Sequence, residues 1–133
     1  MSITALSLHE TEDYICEDDK KSKNPTVWKL GTYSHKIRAY LLSLMGTMGD
    51  KDPDFQKTFD ASIEAVRLGL KGWENFLDGN QKEIKFLADA ITESNTGGVD
   101  ESLLNRIPQN ILIELAGALI QKNMVSGTER KNS

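Results

Sequence analysis

The sequence predicts a mainly α fold: a small helical domain with an antiparallel helix pair and a terminal helix, plus a short N-terminal β-hairpin. Apolar residues recur at three- and four-residue spacing in three long segments, which is typical of helices that bury one face. Near the N-terminus, β-branched and aromatic residues alternate with others between a proline and a glycine, which indicates a strand. The chain has 133 residues, 38% of them hydrophobic and 27% charged, which suits one modest core.

The expected layout is a single domain over residues 1–125 with a polar tail over residues 126–133. Within the domain, we expect residues 1–11 to be loosely ordered, 12–31 to form the hairpin, and 34–122 to form the helical body. The sequence contains no internal repeat and no low-complexity block that would suggest further units.

Two short segments are candidates for the hairpin strands. The first is 14–16, and the second lies between Pro25 and Gly31, where Trp28 and Leu30 point to the same side of the strand. About eight polar residues connect the two segments. Because a lone hairpin is only marginally stable in water, we expect this one to dock on the helices.

The helix pair is predicted from its caps and its apolar stripes. Ser34 is a good N-cap for the first helix, and Asp52 followed by Pro53 is a typical start for the second. Gly69 and Gly72 are expected to end the second helix, and the short connecting loop predicts antiparallel packing. The inward residues are Ile37, Tyr40, Leu41, Leu44, Met45 and Met48 in the first helix, and Phe55, Phe59, Ile63, Val66 and Leu70 in the second.

The remaining third of the chain predicts two more helices. After Gly72, either a small hairpin around 78–80 or a turn leading into a helix over 87–91 fits the pattern. Asp100 is expected to cap a short helix, and Pro108 is expected to open the last one, with Trp73 wedged where the helices meet. The inward residues are Leu103, Leu104 and Ile107 in the short helix, and Ile111, Leu112, Leu115, Leu119 and Ile120 in the last.

Composition argues against several kinds of function. The net charge of −4 provides no basic footprint for nucleic acid. No apolar run approaches the roughly 20 residues of a membrane span, and the N-terminus lacks the features of a signal peptide. The single cysteine suits a reducing compartment. We therefore expect an intracellular protein that binds neither nucleic acid nor membrane.

No segment has the pattern of a metal, cofactor or catalytic site. His9, Cys16 and His35 are too few and too far apart for structural zinc. The acidic residues of 50–54 imitate a calcium loop, but the positions that require glycine and glutamate carry other residues. The mixed charges of 17–23 are typical of a solvated loop. The sequence thus predicts a protein that is not an enzyme and has no cofactor.

Four aromatic residues are the candidates for contact with a partner: Trp28, Trp73, Phe76 and Phe86. Aromatic side chains near a helix end are most often part of the core. The alternative is an exposed anchor in a protein interface, where tryptophan and tyrosine are enriched. Both interpretations stay open at the level of sequence.

Three motifs lie at the ends of helices and in a turn: Gly72-Trp73 after a helix, a turn at Asp78-Gly79, and a last helix opened by Ile107-Pro108. Together with their neighbouring segments, these motifs resemble tail assembly chaperones of tailed phages. The polar segment Gln81-Lys82-Glu83 lengthens the turn relative to the family's pattern. The resembling segments are 12–15 with 26–31, then 69–76 with 78–80 and 84–86, and finally 103–108 with 111–116.

The resemblance implies a non-enzymatic role in phage morphogenesis, in the host cytoplasm. Members of this family are similar to factors that coat tape-measure or tail-tube subunits until the tail assembles. The resemblance leaves open whether the chain forms a homo-oligomer. Two alternatives also stay open: a structural virion component, such as a head–tail joining or decoration protein, and a small phage inhibitor of a host protein.

Overall fold

The computed structural model describes residues 3, 5, 8–45, 55–89 and 98–124. Several predictions lie outside these residues: the inward position of Met48, the helix start at Asp52 and Pro53, and the tail over 126–133. The side chain of Phe55 also lies outside them. The strands are β1 (Glu12–Tyr14), β2 (Val27–Leu30), β3 (Leu70–Glu74), β4 (Ala88–Asp89) and β5 (Gly98–Val99), and the helices are α1 (His35–Met45), α2 (Phe55–Gly69), α3 (Glu101–Leu104) and α4 (Gln109–Met124), with a 3₁₀ turn over Glu17–Asp19.

Three strands form an antiparallel sheet in the order β1-β2-β3. Tyr14 is opposite Trp28, and Trp28 is opposite Trp73. Trp28 and Leu30 are buried, as their alternation predicts. The predicted N-terminal hairpin is therefore confirmed in outline, although its first strand spans Glu12–Tyr14 and not residues 14–16.

The prediction of a mainly α fold is wrong in one respect, because the structure combines helices with this sheet. The second helix ends at Gly69, one of the two glycines predicted to end it. The sequence places Leu70 on the apolar stripe of that helix, but Leu70 begins β3, which pairs with β2. Leu70 follows Val66 by four residues, so it fits the helical stripe although it is buried in the sheet. Trp73 likewise lies on β3, opposite Trp28.

The first helix pair follows the prediction closely. Ser34 caps α1, since its hydroxyl accepts a hydrogen bond from the Ile37 backbone N–H at 3.3 Å. The Tyr40 hydroxyl donates to Glu64 at 2.9 Å, and Leu44 near the end of α1 lines a cavity with Asp60 earlier in α2. These contacts run in opposite chain directions, so the two helices are antiparallel. Tyr40 differs from the prediction, because 38% of its surface is exposed.

The C-terminal helices also form where the sequence predicts them. The Asp100 carboxylate accepts from the Ser102 backbone N–H at 3.0 Å and caps α3. The segment after Gly72 forms a small turn with a bridge between Leu77 and Glu83, and Ala88–Asp89 is a strand. The hairpin interpretation thus holds here, while the last residues of the predicted 87–91 helix lie outside those described. The inward residues Leu112, Leu115 and Leu119 of α4 are buried, and α4 packs along α2.

A tight junction joins the sheet to α2 and α4. The Tyr33 hydroxyl donates to the Ala65 carbonyl at 2.5 Å, and the Tyr33 N–H donates to Asn123 Oδ1 at 2.9 Å. Asn123 Nδ2 donates to the carbonyls of Gly31 at 3.1 Å and Leu119 at 3.0 Å. We call this group the Tyr33 junction; its residues are Gly31, Tyr33, Ala65, Gly69, Leu119 and Asn123.

Candidate functional site

The four aromatic residues singled out in the sequence lie together in one cluster. The rings of Trp28 and Trp73 meet edge to face with centroids 5.9 Å apart. Phe76 lies 5.0 Å from both tryptophans, and Phe86 lies 4.9 Å from Trp73. These spacings are those of favourable aromatic pairs. We refer to these four residues as the aromatic cluster.

The members of the aromatic cluster differ in exposure. Trp28 is 3% exposed and Trp73 is 8% exposed, and the Trp73 indole N–H donates to the Ile84 carbonyl at 2.6 Å. Phe76 and Phe86 are only partly buried. The two tryptophans therefore belong to the core, and the phenylalanines are the more exposed rings of the cluster.

A hydrogen-bonded turn follows Phe76 of the aromatic cluster. The Asp78 carboxylate accepts hydrogen bonds from the N–H groups of Asn80 and Lys82 at 2.8 and 3.0 Å. These bonds lower the pKa of Asp78 and fix the turn. On either side of it, Leu77 is 44% exposed and Leu87 is 50% exposed. Two large apolar side chains, each next in sequence to a phenylalanine of the aromatic cluster, thus remain exposed to solvent.

On its other side, the aromatic cluster borders a cavity of about 220 Å³. We call it the Cys16 pocket. Its walls combine the two rings of Trp28 and Phe76 with aliphatic groups from the start of α4, and two carboxylates lie at its edge. The described residues that line it are Cys16, Asp18, Asp19, Thr26, Trp28, Phe76, Pro108 and Ile111.

Glu114 of α4 holds the strand and turn that form one wall of this pocket. Its carboxylate accepts from the Tyr14 hydroxyl at 2.6 Å and from the Glu17 backbone N–H at 3.0 Å. The hydrogen bond from Tyr14 is the main reason that the pKa of Glu114 lies below its usual value. Sequence reasoning missed this residue; its only signal is a single charge within an apolar stretch of a helix.

The thiol in this pocket is unreactive because it is buried and protonated. Cys16 is 1% exposed, and burial, with the nearby Glu114 carboxylate, raises its pKa to about 12. The thiol is therefore protonated at neutral pH, whereas a nucleophilic cysteine needs a lowered pKa. Cys16 therefore lines the pocket as an uncharged thiol.

In the acidic 3₁₀ turn that lines the pocket, only Glu17 is neutralised by a cation among the described residues. Lys20 forms a salt bridge with Glu17 at 2.8 Å, and Asp19 accepts from the Thr26 N–H at 2.7 Å. Asp18 is exposed. Within the described part of the chain, neither Asp18 nor Asp19 has a cationic partner within salt-bridge distance. The prediction of a solvated, charged loop agrees with this arrangement.

A second, larger concavity of about 600 Å³ lies between α1, α2 and α3. Its polar wall contains Arg67, whose guanidinium is paired with Glu64, and its floor includes the buried Val99 and Leu104. Over residues 3, 5, 8–45, 55–89 and 98–124, no group of three or more His, Cys, Asp or Glu side chains is placed to hold a metal ion. In the same residues, no helix has the length and hydropathy needed to span a membrane.

No protein-family model, no curated protein and no solved structure matches the chain.

Proposed function

We propose that this chain is a non-enzymatic tail assembly chaperone of a tailed phage. It would bind tape-measure or tail-tube subunits in the host cytoplasm and release them when the tail forms. The proposal begins with the resemblance of the three groups of segments. The observation that carries it furthest is that all four candidate contact residues, from three separate segments, form one cluster with two partly exposed rings.

The contact surface of this chaperone combines the ring edges with the exposed leucines. Phe76 and Phe86 offer apolar edges, and Leu77 and Leu87 stand in solvent at 44% and 50% exposure. Apolar surface that a domain leaves exposed is available to bury against a partner. A chaperone for aggregation-prone subunits needs such a surface, held rigid enough that binding does not require the domain to reorganise.

Co-expression with the tape-measure and tail-tube proteins of the same phage, followed by affinity capture of this chain, tests the proposal. We expect one of the two proteins to be recovered. The double substitution Leu77→Ser and Leu87→Ser should reduce recovery about tenfold, because central apolar contacts dominate protein interfaces. Both leucines are half-exposed, so the substitution should leave the fold intact.

Leu42→Ser is the matched control, since Leu42 is 57% exposed on α1. It removes a similar apolar side chain from another element, and recovery should stay unchanged. Failure to recover either protein would contradict the proposal. Stoichiometric presence of the chain in purified virions would instead favour a structural component, because a chaperone leaves before the particle is complete.

A further inference from the structure

We propose that the Cys16 pocket binds one apolar side chain of a client polypeptide and that Asp18 and Asp19 hold a lysine or arginine next to it in the client's sequence. This inference rests on the proposed function only in that the client is a polypeptide. Its basis is the size of the cavity, its preformed walls and the charge at its edge.

The size of the pocket favours a single side chain. Its volume of about 220 Å³ is smaller than the roughly 300–1,000 Å³ typical of small-molecule sites. Its walls are the rings of Trp28 and Phe76 together with Pro108 and Ile111. Such a cavity matches a leucine, isoleucine or methionine that projects from an extended segment, as in the side-chain pockets of peptide-binding domains.

The pocket is preformed, because hydrogen bonds fix each of its walls. The Thr26 hydroxyl donates to the Asn75 carbonyl at 2.9 Å and positions the residue before Phe76. The Thr26 N–H donates to the Asp19 carboxylate at 2.7 Å, and the Glu17 N–H donates to Glu114 on α4 at 3.0 Å. Binding therefore requires little ordering of the protein, which favours even a short ligand.

The negative charge at the edge of the pocket favours a basic residue next to the apolar side chain that the pocket binds. Asp18 and Asp19 line the pocket, and the described residues that line it include no lysine or arginine. Lys20, the next residue in the turn, is already paired with Glu17. A basic residue beside the anchor would meet two carboxylates, whereas an acidic one would be repelled. The pocket thus recognises an apolar residue followed or preceded by a lysine or arginine.

Titration of the isotope-labelled full chain with synthetic hexapeptides, followed by NMR, tests this inference. The probe is Gly-Ser-Leu-Lys-Lys-Gly, compared with Gly-Ser-Ser-Lys-Lys-Gly and Gly-Ser-Leu-Glu-Glu-Gly, all with blocked ends. We expect saturable shifts at the amides of Cys16, Trp28, Phe76 and Ile111 with the first peptide. Replacing the leucine should weaken binding more than about tenfold, and replacing the lysines about threefold to tenfold at low salt.

Variants of the protein separate the two contributions. Asp18→Asn with Asp19→Asn keeps a side-chain oxygen at position 19 that can accept from the Thr26 N–H. This variant should bind the first peptide about threefold to tenfold more weakly. Asp60→Asn, an exposed carboxylate on α2, should have no effect. Ile111→Phe should fill the cavity and abolish the saturable shifts, and its unbound spectrum reports whether it folds. If Ile111→Phe does not fold, the Asp18→Asn, Asp19→Asn variant and the peptide series still test the inference.

The inference is overturned if the peptides bind equally whatever their third residue, or if the shifts map to the concavity between α1 and α2. Its failure is distinguishable from failure of the proposed function. Recovery of a tail protein without peptide binding would refute the pocket alone. Peptide binding without recovery of either tail protein would support the pocket and refute the chaperone role.

Discussion

The Tyr33 junction and the aromatic cluster both join the sheet to the rest of the domain, but with different kinds of contact. At the junction, directional hydrogen bonds hold the backbone, and Tyr33 and Leu119 have no exposed surface. At the cluster, rings meet at centroid distances of about 5 Å, and two of them are partly exposed. A cavity of about 220 Å³ adjoins them. The junction is closely packed, while the cluster has two partly exposed rings.

This difference indicates where stability and function reside. Substitutions at the junction should lower the free energy of unfolding because close packing and buried polar groups tolerate little change. Substitutions at the edge of the cluster should alter binding with a smaller effect on stability. Substitutions in the two regions test that division.

Asn123→Ala should destabilise the protein by about 3 kcal/mol, the largest effect that we predict. Asn123 is 3% exposed, and its amide pairs with the Tyr33 N–H and the Gly31 carbonyl. Alanine would leave both backbone groups buried without these partners, at a cost of about 1–3 kcal/mol each. Urea unfolding monitored by tryptophan fluorescence provides the measurement.

Asn110→Ala is the control for this prediction, since Asn110 is exposed on the same helix. It should change the free energy of unfolding by less than about 0.5 kcal/mol. A loss of under 1 kcal/mol in Asn123→Ala would show that the junction is not the stable part of the domain, and the comparison would fail.

Gly69→Ala should destabilise the protein by about 2 kcal/mol through overpacking. A Cβ atom at this position would lie 2.6 Å from Leu119 Cδ2 and 2.8 Å from the Tyr33 hydroxyl oxygen. Neither neighbour can move easily, because both side chains are fully buried. The midpoint and slope of urea unfolding would report the loss.

Gly117→Ala is the matched substitution on α4, where an added Cβ atom would meet nothing within 4 Å. Removing a glycine from a helix interior should stabilise the protein by about 0.5–1 kcal/mol. Opposite signs for the two glycine variants are therefore expected. Equal effects would mean that the close approach at Gly69 does not limit packing at the junction.

The helices were largely predictable from the sequence, because their caps and stripes are local signals. Ser34, Asp100 and Pro108 each mark the start of a helix that the structure contains. The third strand was not predictable by the same reasoning. Leu70 fits the helical spacing after Val66, and only its pairing with Leu30, forty residues earlier in the chain, reveals a strand.

The candidate site was predictable in part, for a similar reason. The residue types of the aromatic cluster marked it in the sequence, but burial of Trp28 and Trp73 depends on the sheet that brings them together. The Cys16 pocket could not be predicted, since its walls come from the hairpin connection, the segment after β3 and the start of α4. Asn123 carried no signal either, because an asparagine near a helix end is usually exposed.

The contact between Glu114 and Tyr14 offers the mildest test, because it joins β1 to α4 outside both regions through a partly buried hydrogen bond. The pKa of Glu114 is lowered in the folded protein, mainly by the Tyr14 hydroxyl. The unfolded chain then binds more protons at acidic pH. The stability that this carboxylate contributes is therefore present above its unfolded pKa, about 4.5, and is lost as the pH falls through the lower folded value.

Glu114→Gln should thus lower the free energy of unfolding by about 1 kcal/mol near pH 7, and the deficit should shrink as the solution is acidified below about pH 4. Tyr14→Phe removes the donor and should likewise make the free energy of unfolding depend less on acid pH. The loss of stability in the double variant should not exceed the sum of the two single losses. Urea unfolding across this pH range measures both single variants.

This contact holds the wall of the Cys16 pocket. The same variants should therefore reduce the affinity for the peptide more than they reduce the stability of the fold. If Glu114→Gln lowers the free energy of unfolding by the same amount at every pH, the ionisation of Glu114 does not contribute to stability. The contact at that wall would then be one of neutral packing only.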